Sequence, residues 1–388
     1  MDIDIKKYEQ LLRASIDAKL STMDSTFSNS IGLKLSRSKL LIWLNEPSSI
    51  ILNNDFKAQI EQIITAVLYP YWIVKHKAGL TLVPRWGEPA ESARALSYDL
   101  HFGIYKRLEV DKLSSTNLFE NAKHEVKIAL MDDFFWCPDG TSNCPSVPDL
   151  AIEAITRNGK TTLLRYLIVN CDGYAKIKVK NGAIDDNFAS IIVIDPKLDA
   201  DLRATTISIN GKYIAPDFSK SDINYLDQVN TQLKEIIDLM RSRAERRKLS
   251  PNLKFKDVFL TIDEAISLPT FGNSKTKNIY MGLLDRILMM GAAFQIHVLM
   301  ASQSFLVGTQ GALSSQARLE FGAKILLANK ITPENTQFLF KDLDAKSINN
   351  LILDTDSHGL TGVGICDFDG NIVPFKAPFF RDLGVPND

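Results

Sequence analysis

The feature that most constrains this chain is a strand, a loop and a helix in immediate succession. Leu150-Ala-Ile152 runs into Ala154-Ile-Thr-Arg-Asn-Gly-Lys-Thr161, and the helical run Thr162-Leu-Leu-Arg-Tyr-Leu-Ile168 follows at once. That is the context a phosphate-binding loop requires, and it points to an α/β fold. Ala154 takes the place of the first glycine, a position that needs smallness more than free backbone rotation. The backbone N–H groups of Arg157, Asn158, Gly159, Lys160, Thr161 and Thr162 are candidates to cradle phosphates at a helix N-terminus. Lys160 would reach the β/γ oxygens of ATP, and the Thr161 hydroxyl would ligate Mg²⁺. The competing reading is an accidental strand-to-helix turn.

A partner lies downstream in Asp257-Val-Phe-Leu-Thr-Ile-Asp-Glu264, an apolar strand ending in adjacent carboxylates. Asp263 is the candidate for the Mg²⁺ shell and Glu264 for polarising the attacking water, an arrangement for hydrolysis. A solvent-facing acidic turn is the plainer alternative. The interval between Lys160 and Asp263 leaves room for an intervening strand, as in additional-strand ATPases. A third strand, Ile296-His-Val-Leu-Met-Ala-Ser-Gln303, ends in Gln303, the candidate γ-phosphate sensor. Ile191-Ile-Val-Ile-Asp-Pro-Lys197 ends at the same edge and reads equally as a turn or as part of the site.

The rest of the chain sets the frame. Its 388 residues are 45% apolar and 23% charged, which excludes disorder, collagen-like repeats and a disulfide miniprotein. A net charge of -1 gives no global attraction to nucleic acid, so such a partner must meet a local patch. Four cysteines make no disulfide framework, and Cys137 and Cys144 lack the further ligands of a zinc set; a reducing cytoplasm is expected. The five histidines show no ligand spacing and read as structural, His297 at a strand edge. The run Ile63–Val74 contains Pro70 and falls well short of the roughly 20 apolar residues of a membrane helix. The N-terminus carries no secretion signature.

Apolar spacing predicts an opening helix over 5–20 and a mixed α/β segment over 30–120. Strands at 125–131, 150–155, 191–195, 257–262, 296–301 and 323–328 then alternate with helical stretches, the rhythm of a parallel sheet. A helix over 223–240, with Ser221 as candidate cap, ends in the basic run Arg241–Lys248, which reads as a solvated helix end or a phosphate contact. Residues 1–123 are expected to form a smaller N-terminal mixed α/β domain and 124–388 the nucleotide-binding domain.

Taken in order, Pro148-Asp-Leu-Ala-Ile152 with Gly159-Lys-Thr161, Ile194-Asp-Pro-Lys197, Ile262-Asp-Glu-Ala265 and Ile296–Gln303 resemble the motor of the FtsK/SpoIIIE family of DNA translocases. That family belongs to the HerA-FtsK group, which includes conjugative coupling proteins. The resemblance covers roughly residues 124 to 380, down to Gly362-Val-Gly-Ile-Cys-Asp-Phe-Asp-Gly370 and Ala377-Pro-Phe-Phe380. It implies a RecA-like core, a hexameric ring of this chain, ATP between subunits and duplex DNA through the pore. It further implies a pore-facing segment over Ser304–Arg318, with Gln310, Ser314, Ser315 and Arg318 as candidate DNA contacts.

The sequence also departs from the family. Met290-Gly-Ala-Ala-Phe-Gln295 lacks the usual arginine before the Ile-His pair, leaving Arg286, Arg318 and Lys324 as candidates for the trans-acting cation. The family's membrane-spanning N-terminus and C-terminal winged helix are missing from this sequence, which suits relatives carried by mobile elements. A cytoplasmic location is implied, with any membrane attachment coming from a channel or relaxosome partner or from a segment outside this sequence. Three functions compete: an ATP-driven DNA pump, a nucleotide-regulated switch without processive movement, and an adaptor with a relic phosphate loop.

Overall fold

The computed structural model describes residues 3–21, 31–45, 54–77, 79–90, 92–111, 113–114, 117–219, 222–306, 313–341, 343 and 358–381. The chain divides into two compact units. One comprises Met1–Ile104, Asp342–Ile352 and Gly370–Val373; the other comprises Tyr105–Lys341, Leu353–Asp369 and Pro374–Asp388.

In the first unit, α1 (Ile5–Ser21) precedes β1 (Ile31–Leu35), β2 (Lys39–Leu44), α2 (Asn54–Leu68), β3 (Trp72–Lys75), β4 (Leu82–Pro84) and β5 (Arg94–Phe102). The strands pair antiparallel in the order β1-β2-β5-β3, with β4 beside β5. Alternation sets the inner face: Leu40, Ile42 and Leu44 of β2 are buried while the residues between them are not. Leu12 and Ile16 of α1 and Ile60, Ile64 and Leu68 of α2 complete this core. Leu11, beside Leu12 on α1, stays 49% exposed.

The second unit opens with β6 (Glu109–Val110), β7 (Leu118–Glu120), β8 (Val126–Met131) and β9 (Phe134–Trp136). The segment 125–131 is expected in the parallel sheet, but β8 pairs antiparallel with β7 and β9 in a separate three-stranded sheet. The reason is connection length: parallel pairing needs a crossover of a dozen or so residues, and none separates these strands.

Thereafter come β10 (Leu150–Ala154), α3 (Lys160–Lys180), β11 (Ile191–Ile194), α4 (Ala200–Ser208), β12 (Lys212–Ile214), α5 (Asp222–Leu249) and β13 (Val258–Ile262). A 3₁₀ turn over Ala265–Phe271 leads to α6 (Ser274–Met290), β14 (Ile296–Ser302), α7 (Ser315–Leu319), β15 (Ala323–Leu327), α8 (Pro333–Thr336), β16 (Val363–Phe368), β17 (Asn371–Lys376) and β18 (Phe379–Phe380). An eight-stranded sheet runs β12-β11-β13-β14-β10-β15-β16-β17, parallel from β12 to β15. Strands β10, β11, β13 and β14 are buried throughout, as expected of parallel strands covered on both faces.

The basic end of α5 differs from its sequence reading. Arg243 is fully buried; its Nε donates to Asp186 Oδ2 at 2.8 Å and its Nη2 to the Lys256 carbonyl at 2.7 Å. Arg247 donates to the Leu253 carbonyl and to Gln295 Oε1. These two arginines fasten the helix end to the loops before β13 and β14, whereas Arg241 and Lys248 do face solvent in local pairs with Asp238 and Glu245. Cys137 and Cys144 form a disulfide that takes up both thiols, and Cys171 and Cys366 are free and buried. The expected cap at Ser221 lies outside the described residues. Among the described residues no helix is long and apolar enough to cross a membrane.

Candidate functional site

The loops after β10, β11, β13 and β14 leave carboxyl ends of neighbouring parallel strands, so they gather at one edge of the sheet. Strand β14 pairs with both β10 and β13, which sets the residue after it between the other two loops. Lys160, Thr161, Lys197, Asp263, Glu264 and Gln303 line one cavity of about 450 Å³ there.

Local geometry explains the loop before α3. Ala154 ends β10, and the Ile155 N–H donates to the Leu327 carbonyl. Arg157 stands at φ 67° and Gly159 at φ 84°, both left-handed, with the Asn158 N–H closing a turn onto the Ile155 carbonyl. Glycine adopts that conformation freely, whereas Arg157 does so under strain. Helix α3 starts at Lys160 with no side-chain cap from Gly159, so its first N–H groups and the positive end of its dipole meet the cavity. Ala154, Arg157, Gly159 and Thr162 also line it, while Asn158 is buried away from it.

Lys160 joins the two motifs. Its Nζ lies 2.6 Å from Asp263 Oδ1 and 2.5 Å from Glu264 Oε2. Burial pulls the Lys160 pKa down, but the two carboxylates outweigh it and hold it above the ordinary lysine value. Burial pushes the Asp263 carboxyl up in spite of Lys160. Glu264 is also desolvated, yet hydrogen bonds from Lys160 and Lys197 leave it below the ordinary glutamate value. Its backbone is left-handed at φ 45° where the 3₁₀ turn begins.

Lys197 is the residue that sequence reasoning left undecided. Asp195 accepts from the Lys197 and Asp199 N–H groups at 2.8 and 2.7 Å and from the Tyr213 hydroxyl at 2.6 Å, which folds the loop tightly. The fold carries Lys197 Nζ to 2.7 Å from Glu264 Oε2. Ile194-Asp-Pro-Lys197 is therefore both a turn and a contributor to the cavity, and its polar end at the same sheet edge was the available signal.

The donor set suits a nucleotide and its metal. The uncapped start of α3 with Lys160 fits phosphate oxygens, and the Thr161 hydroxyl with the Asp263 carboxylate supplies the hard oxygen ligands that Mg²⁺ takes.

The other candidates lie apart. Arg286 is exposed on α6, and Lys324 pairs with Asp367 at 3.5 Å. Arg318 is half-buried on α7 and acts electrostatically on Glu153, whose buried carboxyl is pushed up to about 8. Ser314 accepts from the Ala317 N–H as the cap of α7, Ser315 is exposed, and Gln310 lies outside the described residues.

A second charged cluster occupies the opposite edge. Asp139, Asp257 and His297 bring ligand-type atoms within 4.8 Å of one another, a convergence that sequence spacing did not show. His297 Nε2 donates to Asp257 Oδ1 at 2.8 Å and Nδ1 to the Pro148 carbonyl at 3.2 Å, while Lys178 lies 2.6 Å from Asp139. With both ring nitrogens facing acceptors the imidazolium is favoured. Burial pulls the His297 pKa down, but Asp257, Asp139 and Asp149 hold it above the ordinary value.

No protein-family model and no curated protein matches the chain. Among solved structures it is similar to the pCW3 conjugation coupling protein TcpA, in a monomer form with ATPγS, at 14% identity over 96% of both chains with a TM-score of 0.47. It is similar to the cytoplasmic domain of the Thermomonospora curvata type VII secretion ATPase EccC at 17% identity, covering 69% of this chain and 29% of that one, with a TM-score of 0.43. VirB4 of Thermoanaerobacter pseudethanolicus is 8% identical over 70% of this chain and 98% of its own, with a TM-score of 0.39. At such identities the residues of the site, rather than these likenesses, carry its function.

Proposed function

We propose that the protein is a Mg²⁺-dependent ATPase whose hydrolysis moves duplex or transferred-strand DNA through a ring of its own copies, in a mobile-element or conjugation system. The observation that carries the reading is the meeting of Lys160, Asp263, Glu264 and Gln303 on one cavity at the start of α3. The placement of β14 between β10 and β13 supports a RecA-like core, with the motor assigned to residues 124–388 and a separate α/β domain to 1–123.

In this reading Lys160 and the α3 amides hold the triphosphate. Thr161 and Asp263 would hold Mg²⁺, which when bound would neutralise phosphate charge. Glu264 orients and deprotonates water, and Gln303 contacts the terminal phosphate. Lys160 exchanges its carboxylate partners for phosphate as nucleotide enters. Arg286 or Arg318 of a neighbouring copy would supply the trans-acting cation, and the segment 304–318 the DNA contacts. The assembly would be a cytoplasmic hexamer that docks on a membrane-channel or relaxosome partner.

The alternative of a nucleotide-regulated switch draws on one observation: two lysines lower the basicity of Glu264. Steady-state ATP hydrolysis with and without linear duplex DNA, on the native chain and Glu264→Gln, with mass in solution recorded, separates the two. The motor reading expects stimulation by duplex, a ring-sized species and a loss of about 100-fold or more in the variant. Tight nucleotide binding without DNA-dependent turnover would move the assignment to the switch.

A further inference from the structure

The phosphate cavity continues into a second one of about 300 Å³ that shares Gly159, Thr162 and Thr361 with it. The volume is at the lower end of small-molecule pockets. Bare backbone makes the junction. Gly159 stands at φ 84° and Gly362 at φ 71°, and a Cβ on Gly159 would meet the Gly362 Cα at 3.6 Å. A Cβ on Gly362 would press on the Arg107 guanidinium at 3.1 Å and on the Ala377 Cβ at 3.2 Å. A side chain at Gly362 would crowd the place where the phosphate loop passes into the second cavity, whereas at Gly159 the left-handed backbone rather than space favours glycine.

The far wall is aromatic. His358 stacks on Phe379 with ring centroids 3.7 Å apart and planes 20° from parallel. Arg107 ties the wall together: Nη1 donates to the Ala377 carbonyl at 2.8 Å and Nη2 to the Thr361 carbonyl at 2.9 Å. That joins the segment before β16 to the segment after β17, one carrying His358 and the other Phe379. Among the described residues no carboxylate lines this cavity, in contrast to the phosphate end. A flat, weakly polar group joined to a polyphosphate is the ligand chemistry that fits the two cavities together.

We propose that this second cavity is the subsite for the planar base of the nucleoside triphosphate, with the Phe379–His358 stack as the surface the base lies against and Arg107 as a positioning residue. The inference rests on the nucleotide reading above and adds the part of the site that separates a nucleotide from a bare polyphosphate. Stacking on an aromatic face supplies the preference, and it tolerates different bases because each has a π-face.

The test compares the affinities of ATP and inorganic tripolyphosphate, each with Mg²⁺, by calorimetry on the full chain and on Phe379→Leu, Phe379→Trp and Arg107→Gln. The native chain is expected to prefer ATP by about 10-fold or more. Phe379→Leu, which keeps apolar volume and removes the ring, should lower that ratio by about 10-fold, while Phe379→Trp should retain it. Arg107→Gln should lower the ratio as well, since the two carbonyls lose their tie, and an unchanged ratio there removes Arg107 from the proposal. Equal native affinity for the two ligands, or a ratio unmoved by Phe379→Leu, overturns the subsite while leaving the phosphate loop intact. A native chain that binds neither ligand overturns the nucleotide reading itself, and the subsite with it.

Discussion

The two edges of the parallel sheet carry similar side chains and use them in opposite ways. At the carboxyl ends of β10, β11 and β13, Lys160, Lys197, Asp263 and Glu264 pair with one another beside an open cavity. At the amino ends of β10, β13 and β14, Asp139, Lys178, Asp257 and His297 pair under cover, with Asp257 0% and His297 1% exposed and His297 stacked on Phe259. Charges next to accessible volume can exchange partners for a ligand. Buried side chains with no such volume beside them hold strand ends in place, as Asp149 does in accepting the Val298 N–H at 2.6 Å. Residue type alone therefore does not separate a site from a brace; access to volume does.

The contrast is broken most strongly at the open edge. On the proposed function, Lys160→Ala should reduce ATP turnover by about 100-fold or more, measured as steady-state phosphate release, because the cation proposed to meet the phosphates is gone. At the sealed edge the effect moves from rate to stability. Asp257→Asn should cost about 3 kcal/mol in chemical denaturation at neutral pH, since it leaves the buried imidazolium without its partner, and turnover per folded molecule should be retained.

The smallest effect concerns pH. Burial raises the Asp149 carboxyl from its ordinary 3.8 to about 7, so the folded chain holds a proton that the unfolded chain has released. The stability this group contributes is full below the unfolded value and is lost as pH rises through about 7. Asp149→Asn should flatten that loss, read from denaturation midpoints at pH values of about 4.5 and 7.5.

The open edge was largely legible because its signals are local. A glycine turn between strand and helix, and two carboxylates ending an apolar strand, each announce themselves within a few residues. Where a side chain's fate depends on distant chain, the sequence was silent. Arg243 reads as a solvated cation, yet its Asp186 partner and the carbonyls it meets come from loops far along the chain. Arg107 reaches the Ala377 carbonyl, two residues before Phe379, across 270 positions, which no periodicity could show. His297 lacks ligand spacing, and only the sheet register brings Asp257 to it. The strand over 126–131 was visible, but its pairing was not, since short connections rather than composition decided it.

The account rests on the open edge doing chemistry and the sealed edge doing none. Its most direct test is ATP turnover per folded molecule in two matched amide variants, Glu264→Gln at one edge and Asp257→Asn at the other. The account predicts that Glu264→Gln loses about 100-fold or more and that Asp257→Asn keeps native turnover. Full activity in Glu264→Gln, or a comparable loss of turnover in folded Asp257→Asn, would contradict it.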